Sequence, residues 1–154
     1  MTALHPELSK RLTLAQFEEA LQTEGLFGAA VQVEEWSYPT FYVRFTTAAA
    51  QNRLLRFDAS NYDFQPLDVE PVDPETRAPL EPSTWMKRDG AQFPPHPLQG
   101  GRPFLCIKGT RAYYTHPSHS PLATGERWER HRRDLKIVDI IRFIRDRFST
   151  GGWA

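Results

Sequence analysis

At 154 residues, with 40% apolar and 12% aromatic side chains, the chain suits one domain with a real core and is neither disordered nor fibrous in composition. Nineteen basic residues offset nineteen acidic ones, which argues against nucleic acid as a partner, because phosphate-binding proteins carry a basic excess. One cysteine excludes an internal disulfide, no apolar run reaches the roughly 18–20 residues of a membrane span, and MTALHPELSKR lacks a secretory core, so a cytoplasmic protein with no membrane partner is expected.

The first predicted element is a helix that could begin near Glu7. Thr13 and Gln16 have capping-box form, and Leu14, Phe17 and Leu21 form an apolar stripe at helical spacing, with Gly25 as a stop. Strand-like segments follow at short intervals. Ala29 to Trp36 alternates through Val31 and Val33, and Phe41, Val43 and Phe45 share a face after a Tyr38-Pro39 turn. Leu54 to Phe57 and Phe64 to Val72 complete the set. The short spacings predict a four-stranded antiparallel meander and an α+β fold, rather than strands joined by crossover helices.

Prolines at 71, 74, 79, 82, 94, 95, 97 and 103 then predict a long extended loop, because proline cannot donate to a ladder. Trp85 and Phe93 are expected to pin this loop to the body. Phe104 to Ile107 reads as a short strand-like apolar run carrying Cys106, and Lys108 to Trp128 as polar and irregular. The final helix is predicted from Asp134, a candidate cap, with Ile137, Ile141, Ile144 and Phe148 at helical spacing. Val138 and Ile140 widen its buried face, arginines at 142, 145 and 147 stay wet, and Gly151 and Gly152 end it. Trp153 has no evident partner in the sequence.

That order resembles the ubiquitin-conjugating enzymes. Three motifs carry the resemblance. Phe57 to Leu67 is similar to the family's strand followed by Tyr-Pro-x-x-Pro-Pro, with Asp63 and Leu67 in place of prolines. His96-Pro97-Leu98 is similar to its His-Pro-Asn motif, with Cys106 ten residues after His96. Phe104-Leu105-Cys106-Ile107 is similar to its run at the nucleophile. The resemblance implies a single domain over 1–154, its core at about 7–148, a Pro-rich insertion at about 73–95, an active-site flap and a C-terminal crossing helix. The flap from Gly109 to Ser120 looks most like bacterial members found in ubiquitin-like conjugation operons, some tied to antiviral defence.

The implied activity loads a ubiquitin-like protein from an activating enzyme onto Cys106 as a thioester and passes it to an amine of a target protein, with no cofactor. The thiolate is the nucleophile, so cations and imidazoles close in sequence (Lys108, Arg111, His116, His119) are candidates to favour it, and a histidine can also accept the amine's proton. Arg111 or backbone N–H groups would replace the oxyanion donor lost with asparagine at Leu98. His96, Tyr113, Tyr114 and Trp128 are the candidate binding residues: the tyrosines to line a channel for an extended tail, Trp128 more as an anchor for the flap.

Two other readings stay open. Cysteine is among the most buried residue types, so Cys106 can be purely structural, and Leu98 together with the single helix after the flap fits an inactive binding module of the same fold. His116 and His119, with His131, His96 or Cys106 as a third ligand, could hold zinc, although Pro117 between them removes the helix that would aim both rings. The basic run Arg127 to Lys136, interrupted by Glu129 and Asp134, reads as a solvated helix entrance or a docking face for an acidic patch.

Overall fold

The computed structural model describes residues 5–81, 93–119 and 127–153. Helix α1, Pro6–Gln22, starts where His5 Nδ1 accepts the Glu7 N–H at 3.2 Å, and Pro6 occupies a position whose N–H would be unpaired anyway. The predicted capping box at Thr13 is therefore overturned: Thr13 is buried inside the helix and its hydroxyl donates to Ser9 O at 2.8 Å.

The predicted stripe also shifts. Ser9, Thr13, Gln16, Phe17 and Ala20 face inward, while Leu14 and Leu21 are 37% and 49% exposed. Most of the inward side chains are small, which lets the helix come close. Gln16 anchors it, with Oε1 accepting from Tyr62 Oη at 2.6 Å and from Ile137 N at 3.0 Å.

Strands β1 (Val31–Ser37), β2 (Thr40–Thr46), β3 (Asn52–Asp58) and β4 (Asp68–Val72) form one antiparallel sheet in the order 1-2-3-4. This is the expected meander, with a bulge between Val33 and Glu35. Alternation along β2 buries Phe41, Val43 and Phe45, and register places Phe57 and Leu55 beside Phe41 and Val43. Pro71 sits within β4, opposite Leu55, and is tolerated because β4 is an edge strand of the sheet.

The C-terminal helix lies against this face and against α1. It spans Ile137–Ser149, and we label it α4 because two short helices, α2 (Arg111–Thr115) and α3 (Trp128–His131), precede it. Asp134 does not cap it; Asp139 does, through Oδ2 accepting the Lys136 N–H at 3.0 Å. Ile137, Val138, Ile140, Ile141, Ile144 and Phe148 are all buried, each large side chain stabilising by roughly 1.5–3 kcal/mol.

Rings organise the core. Phe17 stacks on Trp36 at 4.2 Å and Phe41 on Phe57 at 4.8 Å. Phe93 meets Phe148 and Trp153 at 6.2 and 5.8 Å, so Trp153, without an evident partner in the sequence, is a buried plug at the end of α4. Phe93 anchors the Pro-rich loop as expected; Trp85 lies outside the described residues.

The other sheet face carries charge. Arg102 pairs with Glu70 at 2.9 Å and Asp68 at 3.3 Å, Arg56 with Glu70 at 3.6 Å, and Arg44 with Glu34. Such partly exposed pairs each contribute about 0–1 kcal/mol. Among the described residues, no helix is long and apolar enough to cross a membrane.

Candidate functional site

The segment 104–107 makes no ladder, so the predicted strand is absent there, and the Ile107 N–H bonds Leu105 O at 3.0 Å across a tight turn at Cys106. Leu105 and Ile107 are buried in the core and Cys106 is exposed, while Phe104 is covered by side chains of the flap. The buried reading of this cysteine is thereby excluded.

A tight turn brings the chain back over the sulfur. Thr110 bonds Ile107 O through both its N–H (3.1 Å) and its hydroxyl (2.7 Å), and Arg111 N–H bonds Leu67 O at 2.7 Å, tying the turn to the end of the sheet. Gly109 has φ +100°, and a Cβ there would sit 2.9 Å from Ile140 Cγ1, so both conformation and space call for glycine. The region predicted to be irregular then forms helix α2, and Pro117–His119 forms a 3-10 turn.

Three residues per 3-10 turn place His116 and His119 on one side, facing Phe104 and Cys106. The two pairs meet. His116 stacks on Phe104 with centroids 5.3 Å apart, and His119 Nε2 lies 3.7 Å from Cys106 Sγ. With the ring neutral and Nε2 bare, the thiol donates to it; with Nε2 protonated, the ring donates to the thiolate.

Partial burial pushes the Cys106 thiol above its ordinary value, and Arg147 acts in the opposite direction. Arg147 belongs to the last turn of α4 and lies over Trp153 at 4.9 Å. Its charge opposes the rise caused by burial, a role expected instead of Lys108 and Arg111, which are nearer in sequence. Nothing in the sequence pointed to it, since 41 positions separate the two residues. Arg111 instead has a buried Nε with no hydrogen-bond partner among the described residues.

His96 is fully buried. Its Nδ1 accepts the Leu98 N–H at 3.2 Å, which places the ring proton on Nε2, facing Thr115 Oγ1 at 3.2 Å. Its backbone also bonds Arg102, Gln99 and Gly101. Burial holds its pKa below the ordinary histidine value, with the His116 and Arg102 charges adding to that. His96 therefore holds the loop behind Cys106 and does not face a ligand, contrary to the binding role expected of it. Thr115, its neighbour, was not singled out in the sequence, and Phe104 was read only as part of the apolar run at the cysteine.

The remaining predicted residues form a line of rings. Trp128 is buried, donates Nε1–H to Asp63 O at 2.7 Å and packs on Tyr62 at 6.2 Å. Tyr114 packs on Trp128 at 5.8 Å, with its hydroxyl 3.0 Å from His131 Nδ1. Tyr113 meets Tyr114 edge-on at 5.1 Å and stacks on His119 at 4.1 Å. Trp128 is an anchor, as expected, and its burial leaves no face for a ligand. His131 is occupied by Tyr114, His116 Nδ1 by the Ser118 N–H at 3.1 Å, and no three His, Cys, Asp or Glu side chains among the described residues come together in an arrangement that could hold a metal ion.

No family model matches the chain. It is 28% identical over 146 residues to the uncharacterized protein y4jH of Sinorhizobium fredii (strain NBRC 101917 / NGR234), a match that takes in 75% of this chain and 66% of that protein. The chain thus spans a little under two thirds of that relative's length.

Proposed function

We propose that Cys106 is an acyl-carrying nucleophile of the ubiquitin-conjugating type and that His119 is its proton acceptor. The observation that carries this reading is an exposed thiol 3.7 Å from an imidazole nitrogen, held by a turn and a flap. The helix, antiparallel meander, cysteine segment, flap and helix occur in the order of that fold, and His96 stands ten residues before Cys106, which supports the family reading and its partners: a ubiquitin-like protein, an activating enzyme and a target protein.

The thiol is protonated at neutral pH, so the step begins with transfer of the Sγ proton to His119 Nε2. The thiolate attacks the carbonyl of the activating enzyme's thioester. The tetrahedral adduct collapses by expelling that enzyme's thiolate, which takes up the proton. In the second half, a target amine attacks the Cys106 thioester, loses its proton to His119, and displaces the Cys106 thiolate. An amide is formed and the thiol is restored.

The test is the intact mass after incubation with the activating enzyme, its ubiquitin-like protein and ATP. A gain of one partner, removed by thiol reductant and absent in Cys106→Ala, is expected. A persistent adduct in Cys106→Ala would sink the assignment. A second reading, a non-catalytic binding module of the same fold, is favoured by the raised thiol pKa and by Leu98, 69% exposed where the family carries asparagine. It predicts stoichiometric binding with no adduct.

A further inference from the structure

The contact between His119 and Cys106 is not made by the 3-10 turn alone. A three-residue turn has no internal rigidity to aim a ring, and an unconstrained histidine on it would sample several rotamers. The ring of His119 is instead covered by Tyr113, with centroids 4.1 Å apart and planes 29° from parallel. Tyr113 in turn is backed edge-on by Tyr114 at 5.1 Å and 79°. Tyr114 is fixed by Trp128 and by its hydroxyl contact with His131, and Trp128 reaches the core at Tyr62. A continuous column of rings thus runs from the core to the sulfur.

We infer that Tyr113 is a positioning residue, whose ring holds His119 in the rotamer that faces Cys106 and so sets the reactivity of the thiol. It acts through its aromatic face; the inference assigns no role to its hydroxyl. A stacked pair of this kind favours the paired arrangement by up to about tenfold, which sets the size of the expected effect. The inference rests on the acyl-carrier reading for its use in the protein, but its test does not involve a ubiquitin-like partner, so the two can fail separately.

The probe is iodoacetamide, and the readout is the rate of Cys106 alkylation near neutral pH, followed by intact mass, with thermal melting as the control for folding. Tyr113→Phe keeps the ring and should react at the wild-type rate. Tyr113→Leu fills the space without an aromatic face and should slow alkylation by up to about tenfold, as should His119→Gln, which removes the imidazole. The deciding measurement is the double variant Tyr113→Leu/His119→Gln. If Tyr113 acts through His119, the pair reacts no more slowly than His119→Gln alone. Independent, multiplying effects would overturn the inference, and so would a Tyr113→Leu protein that melts normally and alkylates at the wild-type rate. Loss of thioester loading with the alkylation pattern intact would count against the acyl-carrier reading and leave the positioning role standing.

Discussion

Gln16 offers the sharpest test of how this fold is held together, because one buried carbonyl oxygen satisfies two donors from distant parts of the chain. Its Oε1 takes the Tyr62 hydroxyl at 2.6 Å and the first N–H of α4, from Ile137, at 3.0 Å. Both side chains are buried, and burial, with the Asp63 charge next, pushes the Tyr62 phenol well above its ordinary value, so it stays a neutral donor. Gln16→Leu keeps the side chain's approximate volume and removes the acceptor. Each donor left without a partner costs about 1–3 kcal/mol; with a small offset from the added apolar burial, we expect a loss of about 3 kcal/mol. With a urea slope of roughly 2 kcal/mol per molar, the unfolding midpoint should fall by about 1.5 M.

Tyr62→Phe alone removes one donor and leaves the Gln16 oxygen bonded to Ile137, so about 1 kcal/mol is expected. The double variant strands one donor where Gln16→Leu strands two, and should therefore be more stable than Gln16→Leu by about 1–2 kcal/mol. Equilibrium urea unfolding of the four proteins measures all of this. A Gln16→Leu protein within about 0.5 kcal/mol of the parent, or a double variant whose losses simply add, would refute the argument.

The remaining predictions concern the ground under Cys106. Gly109→Ala places a Cβ against Ile140 at a backbone angle that L residues avoid, and should cost about 1–3 kcal/mol, read as a melting point lower by about 3–9 °C. His96 has a folded pKa depressed from 6.5, so the folded state prefers its neutral ring. The stability it contributes is complete above 6.5 and is lost as pH falls through the folded value, at no more than about 1.4 kcal/mol per pH unit. Urea unfolding across that window should show the fall in the parent and a flatter profile in His96→Gln; an equal slope in both would count against it. Arg147 lowers the thiol pKa, so Arg147→Gln should move the pH midpoint of Cys106 alkylation upward while Arg147→Lys, which keeps the charge, should not; an unmoved midpoint in Arg147→Gln removes Arg147 from the site.

Local pattern was enough for the elements whose environment is uniform along their length. The period-two run of Phe41, Val43 and Phe45 and the helical repeat of Ile137, Ile141, Ile144 and Phe148 each face a single broad apolar surface, so their periodicity reports burial directly. The helix–meander–helix order was legible for the same reason, whereas the exposure of Cys106 was not. Helix α1 starts within one residue of its expected position, but its capping box and its buried face were misjudged, because that face is chosen by close approach and by Gln16's bonds to Tyr62 and Ile137, 46 and 121 positions away. Leu14 and Leu21 remain exposed.

The candidate site divides along the same line. Sequence alone supplied its vocabulary: a single thiol, two histidines three apart and paired tyrosines in the segment that follows it. Tertiary structure chose among them, setting His119 rather than His116 against the sulfur, sealing His96 behind it, and bringing Arg147 to bear on it from the last turn of α4. The physical reason is that type and short-range spacing survive in the one-dimensional order. Which ring faces which atom depends on a glycine turn pressed on Ile140 and a column of rings rooted at Tyr62, and those contacts exist only once the chain has folded.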